Sequence, residues 1–249
     1  MPDWKTLTIP MLLRWIHIFF GIVWIGHLYF FNFVNGNFEK SLDAAAKKSV
    51  VPQLRPRALW WFRHGAMMTM FSGVIYILWE QFISSKVAQL GPDGQPLLEN
   101  GQHVMTALAF GGWFHNAKDW WITFGGLLGL TMWFNVWFII WPNQKIILAG
   151  IATGNKPADF DARVATAGKF SRINTYLSVP MLFGMGARSH FPVGSSAEGV
   201  NVGMILGWMA VVFVVGVAVA WHLIYKVGPA VGKEFAAMAA VPPPPPPPK

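Results

Sequence analysis

Apolar and polar positions alternate along this chain in long blocks rather than residue by residue, and five apolar blocks stand out. Pro10–Val34 carries Arg14 as its only charge, close enough to one end for the side chain to reach out of lipid. Leu59–Ile83 is entered through Arg63 and His64 and left through Glu80. Trp120–Trp141 is closed by Pro142. Ile173–Ala187 lies between Arg172 and Arg188, and its fifteen residues rise only ~22 Å against a hydrocarbon core of roughly 30 Å. Either a flanking arginine enters the membrane or that helix is half-buried. Val202–Tyr225 is the most lipid-like block. Blocks of this length and polarity predict transmembrane α-helices. The fold class expected is an all-α integral membrane protein, a bundle of about five helices.

The segments between the blocks add smaller elements. Ser41–Ser49 reads as a short amphipathic helix, and "VMTALAFGGWF" (104–114) as an interfacial helix or reentrant piece. "GPDGQP" is turn chemistry. Pro180 should kink the fourth helix. Residues 1–230 form the helical domain, and 231–249 form a tail with seven consecutive prolines, a stiff spacer or docking segment.

Composition sharpens this picture. Charged residues are 12% of the chain and hydrophobic ones 54%, whereas a soluble domain carries about a quarter charged. The net charge is +8. The basic residues fall in segments 35–58 and 142–172 and after the fifth helix, so they report topology and anionic lipid rather than nucleic acid. The positive-inside rule puts those segments in the cytoplasm, giving N-out and C-in in a bacterial cytoplasmic membrane. Cysteine is absent, which excludes disulfides, zinc–thiolate sites, iron–sulfur clusters and covalent c-type haem.

The chain holds seven histidines. An imidazole inside a membrane helix is costly unless partnered. With no thiolate present, the tasks left are haem ligation, metal ligation, proton relay or substrate contact. Haem b needs axial imidazoles, small residues where a porphyrin slides in, and cations for its propionates. His17, His27, His64 and His222 are the ligand candidates, His17 and His64 foremost for iron, with Arg14 and Arg63 as propionate partners. Gly21, Gly26, Gly65, Gly73, Gly125, Gly126 and Gly129 supply small positions. The plainer readings stand beside these. Glycines let membrane helices approach. His64 and His222 can face headgroups, His27 can bond within its helix, and His103, His115 and His190 read as loop or interfacial residues. Asn135 reads as an interhelical hydrogen-bonding residue. "WPNQK" ends the third helix and places Asn143, Gln144 and Lys145 at its cytoplasmic face. Asn174, Thr175, Tyr176 and Ser178 make the fourth helix polar, as in a cavity wall, and Arg188 at its outer end can receive an anion or simply cap the helix.

"RWIHIFFGIVWIG", "MWFNVWFIIWPNQK" and "INTYLSVPMLF" resemble the N-terminal membrane domain of the membrane-bound, cytochrome c-linked urate hydroxylases, the urate oxidase N-terminal family, from about Leu12 to Pro192. The resemblance implies a helical bundle, haem b, and electrons passed to a fused cytochrome c domain. It marks His17 as a ligand and Asn143, Gln144, Lys145, Asn174 and Thr175 as pocket residues. Without cysteine, no such cytochrome domain is expected in this chain.

Three functions compete. One is a haem b electron-transfer protein with one or two haems, linking a quinol or small-molecule donor to a separate cytochrome c or partner complex. The second is a urate hydroxylase-like oxidoreductase. The third is a cofactor-free subunit among other membrane subunits of a respiratory or photosynthetic complex.

Overall fold

The computed structural model describes residues 4–80, 114, 116–191, 193–196 and 199–231, with 86–88, 95, 98–99, 102–103 and 105–107 between them. Helix α1 (Trp4–Tyr29) passes through a π-helical segment, Phe30–Asn35, into α2 (Gly36–Ser41). Asp43 caps α3 (Ala44–Trp79), its carboxylate accepting from the Ala46 backbone N–H at 2.8 Å. Asn116 caps α4 (Ala117–Phe134), which continues through a second π segment, Asn135–Ile140, into α5 (Trp141–Thr153). Helix α6 spans Phe160–His190, and α7 (Val202–His222), capped by Asn201, ends in a third π segment, Leu223–Val227. Among the described residues the only strands are short antiparallel pairs: β1 (Lys86–Ala88) with β4 (Met105–Ala107), β2 (Leu98–Glu99) with β3 (Gln102–His103), and β5 (Ser195–Ser196) with β6 (Gly199–Val200).

The protein is an all-α integral membrane bundle. Among the described residues, three continuous helices, Thr8–Ser41, Ala117–Thr153 and Val202–Val231, are long and apolar enough to cross a membrane. Their outer faces carry bare aliphatic side chains; Ile22 is 69% exposed and Val214 66%. Helix α6 is the most polar rod and sits at the centre, packed against α4, α5, α7 and, less extensively, α1.

The structure redraws several boundaries. The fourth apolar block is the middle of a 31-residue helix, so its apparent shortness disappears: polar turns extend α6 beyond the block. Pro142 does not end a helix. The chain runs on helically to Thr153, with the proline in the first turn of α5, where a missing N–H costs least, directly after the π segment. The stop comes at Gly154, whose φ of 76° is the left-handed cap that favours glycine. The expected amphipathic helix at 41–49 is the beginning of α3, which carries Pro52 and Pro56 without breaking. Within "VMTALAFGGWF", residues 105–107 form strand β4 rather than an interfacial helix. The polyproline tail and His115 lie outside the described residues, as does the His103 side chain.

Most of the glycines marked as small positions are used for helix packing. A Cβ at Gly65 would meet the Trp24 backbone at 3.1 Å, and one at Gly125 would come within 2.9 Å of the Met185 backbone. Gly184 faces Gly125 across the α4–α6 contact, and Gly216 of α7 seats the Pro180 ring. Gly26 and Gly126 face open space. These close approaches replace the hydrophobic drive that lipid cannot supply between helices. The main apolar core gathers Trp24, Leu28, Phe62, Met132, Val136 and Met181 from α1, α3, α4, α6 and the second π segment.

Candidate functional site

The two ends of the bundle carry different chemistry. One end holds the start of α1 and the finish of α3 and α6, and is here the N-terminal end. There Arg14 and Arg188 both donate to the Tyr76 hydroxyl, Arg188 at 3.2 Å. Arg188 also reaches Glu80 Oε2 at 2.5 Å, and Arg14 lies 3.9 Å from Glu80 Oε1. Three helices are thereby tied by two guanidiniums, a phenol and one carboxylate. Arg14 and Arg188 are therefore already partnered, which bears directly on propionate or anion capture by either.

His17 lies one turn inside this cluster. Its Nδ1 donates to the Thr69 carbonyl at 2.8 Å, and its ring rests on Gly73, where an added Cβ would come within 2.8 Å of Cε1. With Nδ1 committed, Nε2 is the nitrogen left for iron or a proton. His27 and His64 follow the same rule inside their own helices: Nδ1 of His27 meets the Val23 carbonyl at 2.7 Å, and Nδ1 of His64 the Trp60 carbonyl at 2.8 Å. His64 also stacks on Trp60, ring centres 4.2 Å apart, and meets Trp137 edge-on. His222 is exposed on the surface of α7. Arg63 lies flat over the Trp141 ring at 3.6 Å. The level of His17 is that of Thr69–Gly73, five to nine residues beyond His64, roughly 8–13 Å along the axis. The imidazoles are thus held separately, each with Nε2 uncommitted. His17 and His64 therefore do not form a facing pair around one porphyrin, and neither of the two clefts is lined by any of these four histidines.

Between the ends runs a buried polar ladder on α6. Asn174 is fully buried; it accepts from Asn135 at 2.8 Å and donates to the Met132 carbonyl at 2.9 Å. Thr175 bonds the Ser171 carbonyl, and Ser178 bonds both the Thr175 carbonyl and the Tyr29 hydroxyl. Asn174 and Ser178 thus act here as interhelical ties, while Thr175 bonds back within α6. Asn143 bonds the Ile139 carbonyl at 2.8 Å and accepts from Arg163 at 3.3 Å, and Lys145 is exposed beside Trp141.

The ladder opens at the basic end into a cleft of about 280 Å³. The π segments at Phe30–Asn35, Asn135–Ile140 and Leu223–Val227 reach it, through Phe31, Asn32 and Asn35, through Ile140, and through Ile224 and Tyr225. A π turn inside an α-helix re-aims side chains and is frequent at functional sites. Lys40, Arg55 and Arg172 bring positive charge, against the single carboxylate of Glu39. That carboxylate is spoken for: both its oxygens take the Arg55 guanidinium, and Oε1 also accepts from Asn35 at 2.8 Å. Asn32 donates to Ser171 at 2.9 Å. Gln144 lines the same cleft, and its Oε1 is buried with no hydrogen-bond partner. A buried acceptor left unpaired costs about 1–3 kcal/mol. A second cleft of about 260 Å³, near the other end, is apolar apart from His190.

Of the pocket residues drawn from the sequence, Gln144 alone lines the basic cleft, while Asn143, Asn174, Thr175 and Arg188 are engaged elsewhere. Sequence reasoning did not single out Asn35, Glu39, Arg55, Ser171 and Arg172 as one site. For Glu39 and Arg55 the signal was the polar segment after "YFFNFVN", visible only as a loop. Tyr76 was missed too, although Glu80, the lone acid ending its apolar block, marked the place.

No curated protein and no solved structure matches the chain. The family described as urate oxidase N-terminal matches it over residues 99–241, more than half of its length. The match takes in "MWFNVWFIIWPNQK" and "INTYLSVPMLF" and leaves the α1 motif outside. The chain belongs to the urate oxidase N-terminal family.

Proposed function

We propose that the chain is the membrane-embedded part of a urate hydroxylase-like oxidoreductase of the bacterial cytoplasmic membrane, oriented with its basic end in the cytoplasm. The observation that carries this reading is the family match across α4 to α7. The cleft at the basic end, positively charged and amide-lined, supports it by offering a place for a polar anionic substrate within an otherwise apolar bundle. Hydroxylating such a ring with water as the oxygen source releases two electrons and two protons. The activity therefore needs an electron acceptor, and a separate cytochrome c or partner complex is the partner class.

A second reading, haem b electron transfer, is favoured by His17. Its Nδ1 bond to Thr69 fixes the tautomer, and Gly73 makes room for the ring, so Nε2 is presented as a ligand. When bound, haem b supplies one-electron relay between a substrate or quinol and the acceptor. Thr69 and Gly73 orient the ring.

The decisive experiment supplies membranes containing the chain with urate and ferricyanide. Loss of the urate absorbance with matching ferricyanide reduction is expected. Membranes that neither consume urate nor reduce the acceptor sink the oxidoreductase reading. A pyridine haemochrome assay tests the haem: a colourless protein leaves the cofactor-free subunit as the surviving alternative.

A further inference from the structure

We propose that the place where α3 meets the start of α5 is a binding site for the phosphate headgroup of an anionic phospholipid, held by Arg63 and Lys145 beside the Trp141 indole. The inference stands apart from the oxidoreductase reading and requires no haem.

Two cations share one ring there. Arg63 lies over the Trp141 indole at 3.6 Å, and Lys145 Nζ lies 5.8 Å from the same ring centre. The two charges are therefore closer together than one screening length, about 10 Å in 0.1 M salt. An indole face attracts a cation but does not neutralise it. Among the described residues neither cation has a carboxylate within ion-pair distance; Glu39 is taken by Arg55 and Asp159 by Arg163. Arg63 also makes no hydrogen bond to a described residue. Its Nε is enclosed by protein, which leaves the two terminal nitrogens for a ligand. Like charges held this close repel each other, and an anion between them relieves the repulsion.

Depth identifies the anion. On α3 the basic residues Arg55 and Arg57 precede the apolar block that opens at Leu59. On the neighbouring helix the apolar block closes at Trp141, and Lys145 follows. The contact between Arg63 and Trp141 brings these two boundaries to one level, where a spanned bilayer has its phosphates. Trp60 and Trp61, 45% and 50% exposed, stand beside Arg63 on α3, as indoles do at a membrane–water interface. Lys145 is exposed too. Arg63, Trp141 and Lys145 do not line the basic cleft, so this is a separate site on the outside of the bundle.

Charge narrows the class. A guanidinium offers parallel N–H donors that match two phosphate oxygens, and an ammonium adds a point charge. A zwitterionic headgroup brings its own cation and answers this pair poorly. An anionic glycerophospholipid has none, and phosphatidylglycerol is the simplest probe. Free phosphate shares the oxygens but lacks acyl chains to lie along the exposed indoles.

The test titrates the purified full chain in detergent with dioleoylphosphatidylglycerol or dioleoylphosphatidylcholine and follows the first lipid adduct by native mass spectrometry. Tighter binding of phosphatidylglycerol is expected. Arg63→Gln and Lys145→Gln should each weaken that adduct about fivefold, the effect of removing one cation beside an anionic headgroup, and should bring the two lipids closer in affinity. Arg63→Lys keeps the charge without the parallel donors and should fall between. Lys47→Gln removes the same charge from the exposed first turn of α3 and should leave the adduct unchanged. Because Lys145 is exposed, its variant folds and keeps the test valid if the Arg63 variant does not. Equal binding of the two lipids, or equal weakening by Lys47→Gln, overturns the proposal. Displacement of the lipid by millimolar inorganic phosphate also overturns it and marks a free-anion site. Unchanged lipid binding in both Arg63→Gln and Lys145→Gln does the same.

Discussion

The two ends of the bundle solve the same electrostatic problem in opposite ways. At the N-terminal end the clustered charges lock together: Arg14 and Arg188 share Tyr76 and Glu80 across α1, α3 and α6. At the basic end Arg55 is paired with Glu39, while among the described residues Arg172 and Lys40 have no carboxylate partner and the buried Gln144 amide oxygen has no donor. The first arrangement holds helices; the second leaves a surplus of positive charge around a cleft. A polar residue near a membrane end is therefore informative about function only once its partners are known.

The largest effect is expected at the locked end. Glu80→Gln leaves two guanidiniums without their carboxylate. Its side chain is 25% exposed, so the 3–5 kcal/mol of a fully buried broken pair is discounted to about 2 kcal/mol. A clear fall in the thermal unfolding midpoint in detergent checks this, and an unchanged midpoint would show the cluster to be decorative. Next comes the ladder between the ends. Asn174→Ala leaves the buried Asn135 amide unpaired and should cost about 1 kcal/mol, read from the same melts.

At the open end the sign changes. Gln144→Leu should leave stability within about 0.5 kcal/mol of the parent, or raise it, because an unsatisfied acceptor disappears. If it destabilises as much as Glu80→Gln does, the contrast between the ends fails. The smallest effect lies outside the membrane. A hydrogen bond from Arg163 to Asp159, an i,i+4 pair at 2.5 Å, holds that carboxyl below its ordinary range. Its stabilisation is present above the unfolded-state value and is lost as the pH falls through the lowered folded one. Asp159→Asn should only slightly flatten the acid side of a pH–melting profile.

The resemblance carried by "WPNQK" and "NTYLSVP" agrees with the family match, because both motifs lie within residues 99–241. Their residues, however, turned out to have different duties. Asn174 is a buried tie between helices and Thr175 bonds within its own, while Gln144 lines the cleft. A motif reports which positions matter and not which neighbour each one meets.

What the sequence determined by itself is the solvent of this protein and the identity of its rods. Hydropathy is local and nearly additive, so blocks such as Val202–Tyr225 announce lipid without any knowledge of partners. Helix ends were less legible, since Pro142 reads locally as a stop, yet the helix runs on through it directly after a π segment. The tertiary structure alone decided the pairings. Arg14, Tyr76 and Arg188 are brought together from three helices, and the cleft gathers residues from Phe31 to Pro229. Such contacts depend on helix rotation and depth, which small residues such as Gly65, Gly125 and Gly216 fix through backbone approach, and no one-dimensional pattern encodes that geometry.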